Sequence, residues 1–325
     1  MYTAPVTPAN SQITVDGYDA VYRVECGGSI AFVALHALVR NRTFGGIRIR
    51  HYPDESAALS DALDLAKAMS RKVVMAGIEG GGAKSVLLAP AHSRRERAVS
   101  DLAAFIESLA GRYMCGGDLG FTTADEQILR AGTQYVACGD LAGWTARSVG
   151  DSIAAVTTPE VVVVQGLGAV GRPLAETLRD RGARVVAADI DTERCDGFEI
   201  TNDAYGTPCD VFSPCGPGGL LDRGAIGRLS CRVICGGANN PLADVTEADH
   251  LHDRGILYVP DFVANSGATI RGAGAALGED DQTEARMAAV GPLVEQIMAA
   301  AKDRDCSPHH VAVEMADARL ARLRS

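Results

Sequence analysis

Aromatic residues are scarce, at 5% of 325 residues with a single Trp, and an excess of basic charge is missing altogether. Lys and Arg number 31 against 41 Asp and Glu, a net charge of −10. A surface that neutralises nucleic-acid phosphates carries the opposite balance, so a nucleic-acid partner is not expected. Long apolar runs are absent as well. Val161–Val164 stops at Gln165 and Gly166, far short of the ~18 residues needed to cross a bilayer. The opening MYTAPVTPAN has no charged-then-apolar layout, so neither a membrane nor a secreted setting is expected. The nine cysteines, at 26, 115, 138, 195, 209, 215, 231, 235 and 306, contain no C-x-x-C pair and no zinc spacing. They read as reduced apolar fillers in a cytoplasmic protein, with no metal site. What remains is a globular chain, 47% hydrophobic and 22% charged, long enough for about two domains of ~150 residues.

Residues 15–26, 29–38 and 47–50 read as strands, and Asp54-Glu55 opens a helix carrying Leu59, Ala62, Ala66 and Met69 on one face. Apolar runs at Val73–Ala76 and Val86–Leu88 flank a glycine loop, with helices expected near 93–111 and 123–131. From 161 the pattern becomes strand, glycine turn, helix, strand. The β-branched Val161–Val164 suits a strand buried on both faces. Later short runs at Val211-Phe212, Val233–Cys235 and Ile256–Val259 extend a parallel, doubly wound arrangement. Two helices, 283–303 and 308–323, close the chain, and 140–158 is expected to act as a hinge. The predicted fold class is α/β. An α/β substrate domain spans 1–140, a Rossmann-type dinucleotide domain 141–280, and C-terminal helices 281–325 could return to the substrate domain.

Gly166-Leu167-Gly168-Ala169-Val170-Gly171 is G-x-G-x-x-G between a predicted strand and helix, with Asp189 23 residues beyond its first glycine. The glycines permit a tight turn, backbone approach to a pyrophosphate and close helix–strand packing. Asp189 can accept from ribose hydroxyls and repels a 2′-phosphate, which favours NAD over NADP, with Arg194 nearby as a counterweight. Ile190 follows as a further cofactor-site candidate. The chain also has few lysines, yet Lys72 ends the apolar helix and Lys84 emerges from Gly80–Gly82. Two ammonium groups sharing a pocket depress each other's pKa, which suits one as anion anchor and the other as base.

The stretches TFGGIRI (43–49), LAKAMSRKVVMAGIEGGGAKSVLL (65–88), GGDLGFTTAD (116–125), VVVVQGLGAVGRPLAETL (161–178), CDVFSPCGPGG (209–219), GGANNPL (236–242) and PDFVANSGATI (260–270) occur in this order. Together they resemble the glutamate/leucine/phenylalanine/valine dehydrogenase family, on the leucine/phenylalanine/valine side. The resemblance implies reversible NAD(P)-dependent oxidative deamination of an L-amino acid to a 2-oxo acid and ammonia, by two domains that close over a cleft. It also implies a homo-oligomer. By position, Lys72 would bind the substrate carboxylate with help from the Gly46 backbone. Lys84 would activate water, and Asp118 would exchange protons with the amine. Asn265 would contact the amino group, and Met69, Phe44 and Gly116 complete the candidate substrate site. Thr145 would lie near the nicotinamide amide and Asn240 near its ribose. Cys215 and Ala238 join them in the candidate cofactor site.

Several positions depart from the family pattern. Ala83 replaces a glycine before the catalytic lysine, the N-terminus is short, and the stretch between Ala154 and Val161 lacks a longer helix and loop. Phe44 stands where glutamate enzymes carry a lysine for the distal carboxylate, so an apolar or aromatic amino acid is the expected substrate. Gly116-Gly117 replaces bulkier residues and opposes Phe44 in setting pocket size. The alternatives are a reductive aminase of a specialised 2-oxo acid in secondary metabolism and a catalytically silent dinucleotide-binding relative.

Overall fold

A computed structural model describes residues 10–137 and 141–325. They fall into two compact units, one of residues up to 137 with 275–278 and 319–325, the other of 141–274 and 279–318. In the first unit, strands β1 (Asn10–Ile13), β2 (Ala20–Cys26), β3 (Ser29–Leu35) and β4 (Thr43–Arg50) precede helix α1 (Glu55–Met75). Strand β5 (Gly81–Leu88), helix α2 (Arg95–Ser108), strand β6 (Tyr113–Gly117) and helix α3 (Thr123–Gly132) follow. The sheet order is β1-β2-β3-β5-β4-β6, antiparallel through β3–β5 and parallel for β4 with β5 and β6. One face packs Val33, Ile47 and Leu87 against Leu102 and Ile106 of α2. The other packs Phe32, Ala34 and Val86 against Ala58, Ala62 and Ala66 of α1. Alternation along the strands therefore puts Phe44, Gly46 and Arg48 of β4, Gly82 and Lys84 of β5, and Met114 and Gly116 of β6 on the α1 face.

Several sequence expectations shift here. The strand expected over 15–26 begins at Ala20, because Asp16-Gly17 makes a turn in which the Tyr18 N–H donates to the Val15 carbonyl. The strand expected over 29–38 ends at Leu35. The apolar run at Val73 finishes α1 up to Met75, and Gly81 and Gly82 belong to β5 rather than to a loop. Close approach explains the glycine at 82, since a Cβ there would stand 2.0 Å from the Ser70 nitrogen of α1. Asp54 caps α1 by accepting from the Ala57 N–H, which fixes where the helix begins.

In the second unit, helix α4 (Leu141–Val156) leads into β7 (Val161–Gln165), α5 (Gly171–Asp180), β8 (Arg184–Ala188) and β9 (Glu199–Ile200). Then come β10 (Val211–Pro214), α6 (Arg223–Arg228), β11 (Val233–Ile234), α7 (Glu247–Asp253) and β12 (Leu257–Tyr258). All pairs are parallel in the order β12-β11-β10-β7-β8-β9, the doubly wound topology whose order reverses beside β7. Short α8 (Asp261–Ala264) and α9 (Gly267–Leu277) precede α10 (Asp280–Ala288), α11 (Val290–Arg304) and α12 (Pro308–Arg324). The single helix expected over 283–303 is thus two. Pro292 cannot donate to the Ala288 carbonyl and its ring would collide with it, so a new helix starts at Val290. The stretch expected as a hinge is largely α4, and residues 138–140 lie outside the described residues. His309 packs its ring on Tyr258 and Phe262.

Candidate active site

In the first unit, register brings Gly46 of β4 opposite Lys84 on one side and Gly116 on the other. The missing side chain at Gly46 leaves the path along which Lys84 reaches across the sheet. A Cβ at Gly46 would stand 3.1 Å from Lys84 Nζ and 3.0 Å from the Asp118 Cβ. Lys84 Nζ meets Asp118 Oδ2 at 2.7 Å. The same oxygen accepts from Arg48 Nε at 3.0 Å, and Arg48 Nη1 reaches Asp61 of α1 at 3.1 Å. Tyr52 Oη donates to the same Asp61. Neither Arg48, Asp61 nor Tyr52 was singled out in the sequence. The signal was the two-residue period from Gly46 to Arg48, which fixes their common face.

Charge here is sheltered. Lys84 is 5% exposed, and burial lowers its pKa against the opposing pull of Asp118. Burial would raise Asp118, yet Lys84 and Arg48 outweigh it and hold its carboxyl at about 2. The environment thus favours an ionised Asp118 beside an amine that gives up its proton more readily than a surface lysine.

The remaining candidates of this unit divide. Lys72 and Met69 lie in the last turns of α1, half-buried. Among the described residues, a Cβ at Gly116 would meet only the Ala137 Cβ, at 3.8 Å, so they leave the α1 face open there. Phe44 is 6% exposed and turns its ring onto Gly80, where a Cβ would stand 2.4 Å from it. The Gly46 carbonyl already accepts from Tyr113 Oη at 3.1 Å.

In the second unit, Gly166 has φ +92°, and a Cβ there would come within 2.7 Å of the Gly216 nitrogen. A Cβ at Gly171 would stand 1.8 Å from the Gly166 carbonyl oxygen, whereas one at Gly168 would meet nothing within 4 Å. Two glycines therefore shape the turn, and the middle one leaves room for something else. Asp189 holds the turn by accepting from the Leu167 N–H at 2.6 Å and the Asp191 N–H at 2.9 Å. A pocket of about 920 Å³ is lined by Gly166, Gly168, Asp189, Ile190, Arg194 and Cys215, among others. The volume, the open Gly168 and the acid fit a dinucleotide.

Ala169, Val170, Thr145, Ala238 and Asn240 are outside that lining. Val170 caps α5, and the Thr145 hydroxyl donates to the Leu141 carbonyl within α4. Asn240 sits at φ +46° with its N–H on Asp261 Oδ2. Asn265 Nδ2 donates to the Ala238 carbonyl at 3.2 Å and to Asn239 Oδ1 at 3.0 Å, while its own Oδ1 is buried with no partner among the described residues. An unspent acceptor of this kind invites an N–H donor.

A family profile described as "Glu/Leu/Phe/Val dehydrogenase, dimerisation domain" matches residues 22–134, and one described as "Glutamate/Leucine/Phenylalanine/Valine dehydrogenase" matches 189–322. The chain belongs to the Glu/Leu/Phe/Val dehydrogenase family. This amino acid dehydrogenase is 33% identical to leucine dehydrogenase of Geobacillus stearothermophilus over 91% of its own length and 88% of that protein's. It is 32% identical to valine dehydrogenase of Streptomyces albus over 92% and 90%. Among solved structures, L-tryptophan dehydrogenase from Nostoc punctiforme superposes with a TM-score of 0.82 at 26% identity, covering 95% of this chain and 97% of that one.

Proposed function

We propose that the protein is an NAD-dependent L-amino acid dehydrogenase acting on an apolar or aromatic substrate, with the first unit taking the amino acid and the second the dinucleotide. The observation that carries this reading is the sheltered Lys84–Asp118 pair at 2.7 Å. Bound NAD supplies the acceptor for the hydride that leaves Cα. Gly166, Gly168 and Asp189 would hold it, the carboxylate of Asp189 facing a ribose and disfavouring a 2′-phosphate.

The chain's own residues account for the protons. Asp118, ionised at neutral pH, takes a proton from the substrate ammonium, so the nitrogen lone pair can form the iminium as hydride departs. Neutral Lys84 removes a proton from the water that attacks Cα. Asp118 returns its proton to the carbinolamine nitrogen and takes the hydroxyl proton as ammonia leaves. Lys72 would anchor the substrate carboxylate, and the unspent Oδ1 of Asn265 would accept from the amino group. The open space over Gly116 favours a bulky side chain, and no cation at Phe44 awaits a second carboxylate.

We expect self-association through the first unit and a cytoplasmic setting, in keeping with the free thiols of the eight described cysteines. The test is a panel of L-amino acids with NAD and with NADP, followed by absorbance of the reduced nicotinamide. The expected result is NAD-linked turnover greatest with apolar or aromatic substrates. Silence with every amino acid, and with every 2-oxo acid plus ammonia, would leave only a dinucleotide-binding role.

A further inference from the structure

The Arg48 guanidinium joins three elements of the first unit. It projects from β4, meets Asp118 just past β6, and reaches Asp61 in α1. Its side chain is 14% exposed, a costly place for a permanent charge unless its donors are used. Two of its three nitrogens are engaged: Nε bonds Asp118 Oδ2, and Nη1 contacts both oxygens of Asp61, at 3.3 and 3.1 Å. Tyr52 steadies Asp61 from the segment before α1, and the Arg50 guanidinium lies 5.9 Å over the Tyr52 ring. A structural ion pair would need none of this near the lysine. Here, however, Arg48 and Lys84 address one and the same oxygen of Asp118. Oδ1 is then the oxygen through which Asp118 can trade a proton with a substrate nitrogen.

We propose that Arg48 is a positioning residue for the acid–base pair, clamping Asp118 from β4 with Asp61 as its brace, so that Asp118 stays the anion and Lys84 is the group that releases a proton. The inference rests on the dehydrogenase reading for its catalytic meaning, though not for its electrostatics. The charged groups acting most on Lys84 are Asp118 just past β6, Arg48 of β4 and Asp61 of α1. Those acting on Asp118 are Lys84 and Arg48, and the phenol of Tyr113 lies within its field. With the lysine protonated, two cations face two carboxylates. When Lys84 becomes neutral, Arg48 still holds Asp118 ionised, since a guanidinium does not titrate. Without Arg48, two carboxylates would share one ammonium. Lys84 would then keep its proton to higher pH, and the pair would lose the arrangement that generates a base.

Two readouts test this. Arg48→Leu should move the Lys84-dependent limb of the kcat/KM–pH profile upward by about one unit, a rate loss of about tenfold at a fixed pH on that limb. Arg48→Lys, which keeps the charge but loses the fork, should leave the limb near its original pH while lowering the rate. The second readout needs no turnover. The rate at which cyanate carbamylates Lys84 in the cofactor-free protein, followed by peptide mass, reports the neutral amine and should shift in the same direction. Asp61→Asn removes a carboxylate and should move the limb the opposite way, which keeps the test alive if Arg48→Leu does not fold. Unmoved carbamylation curves in both variants would overturn the inference, whatever the wild-type enzyme turns over. An inactive wild type with shifted curves would instead count against the dehydrogenase reading alone.

Discussion

The two units use glycine for opposite purposes. At Gly46 the missing side chain makes room for the protein's own Lys84 and Asp118, which a Cβ would approach to 3.1 and 3.0 Å. At Gly168 it makes room for nothing that the described residues supply. The first site is accordingly built of side chains whose charge is held by burial and mutual pairing. The second is built of backbone, with Asp189 pinning the Leu167 N–H. Side-chain chemistry in the first unit depends on a dry, crowded sheet face, whereas the second needs only a turn and space. Substitutions should therefore fail in different ways in the two units.

The largest contrast is expected from Lys84→Ala, which should cut turnover by about 10³-fold or more while dinucleotide binding, measured by nucleotide fluorescence, stays close to wild type. Loss of both together would mean that the units do not divide the work. Gly46→Ala sharpens the comparison. Its methyl presses on the lysine and aspartate and should lower kcat about 10- to 100-fold with the melting temperature little changed. In the other unit, Gly168→Val has nothing to collide with among the described residues, so the protein should melt normally. Its NAD affinity should fall about tenfold or more, because backbone approach to the pyrophosphate is blocked. Gly116→Val should fill the open patch beside Gly46. The expected change is a 10- to 100-fold fall in kcat/KM for the bulkiest substrates relative to small ones. Equal losses for all substrates would remove Gly116 from the specificity argument.

The smallest effect concerns stability. Burial, with Lys67, Arg324 and Arg71 nearby, lowers His36 from 6.5 to about 4. The native state thus resists a proton that the unfolded chain accepts. The first unit should lose stability as pH falls from 6.5 toward 4, and regain it as pH rises through the same window. His36→Gln should flatten that dependence, by about 5 °C or less in melting temperature. The partner to watch is Ser70, whose Oγ contacts His36 Nδ1 at 2.8 Å and accepts from the Gly82 N–H. This clamp fixes α1 on β5 two residues before Lys84.

Local pattern carried the strand–glycine turn–helix–strand order from 161 and the helix opened by Asp54, because each rests on neighbours in sequence. The closing helices were legible except for the break before Pro292, whose ring acts on a carbonyl four residues back. The glycines at 81–82 read as a loop because composition does not reveal that a helix passes over them at backbone contact. Of the first site, Lys84 and Asp118 were visible, while Arg48, Asp61 and Tyr52 were not. They are ordinary charged and polar residues until register places them together.

The chain by itself determined the class of fold, the family and the turn that suits a pyrophosphate, since periodicity, spacing and glycine placement are written in order along it. Only the folded sheet decided which charges meet. Arg48 of β4 and Lys84 of β5 converge on one carboxylate oxygen of Asp118, just past β6, with Asp61 of α1 behind Arg48, and burial and mutual charge there set which of them keeps its proton. Distance and dielectric are properties of the packed molecule, so no reading of neighbours in sequence could have fixed that order.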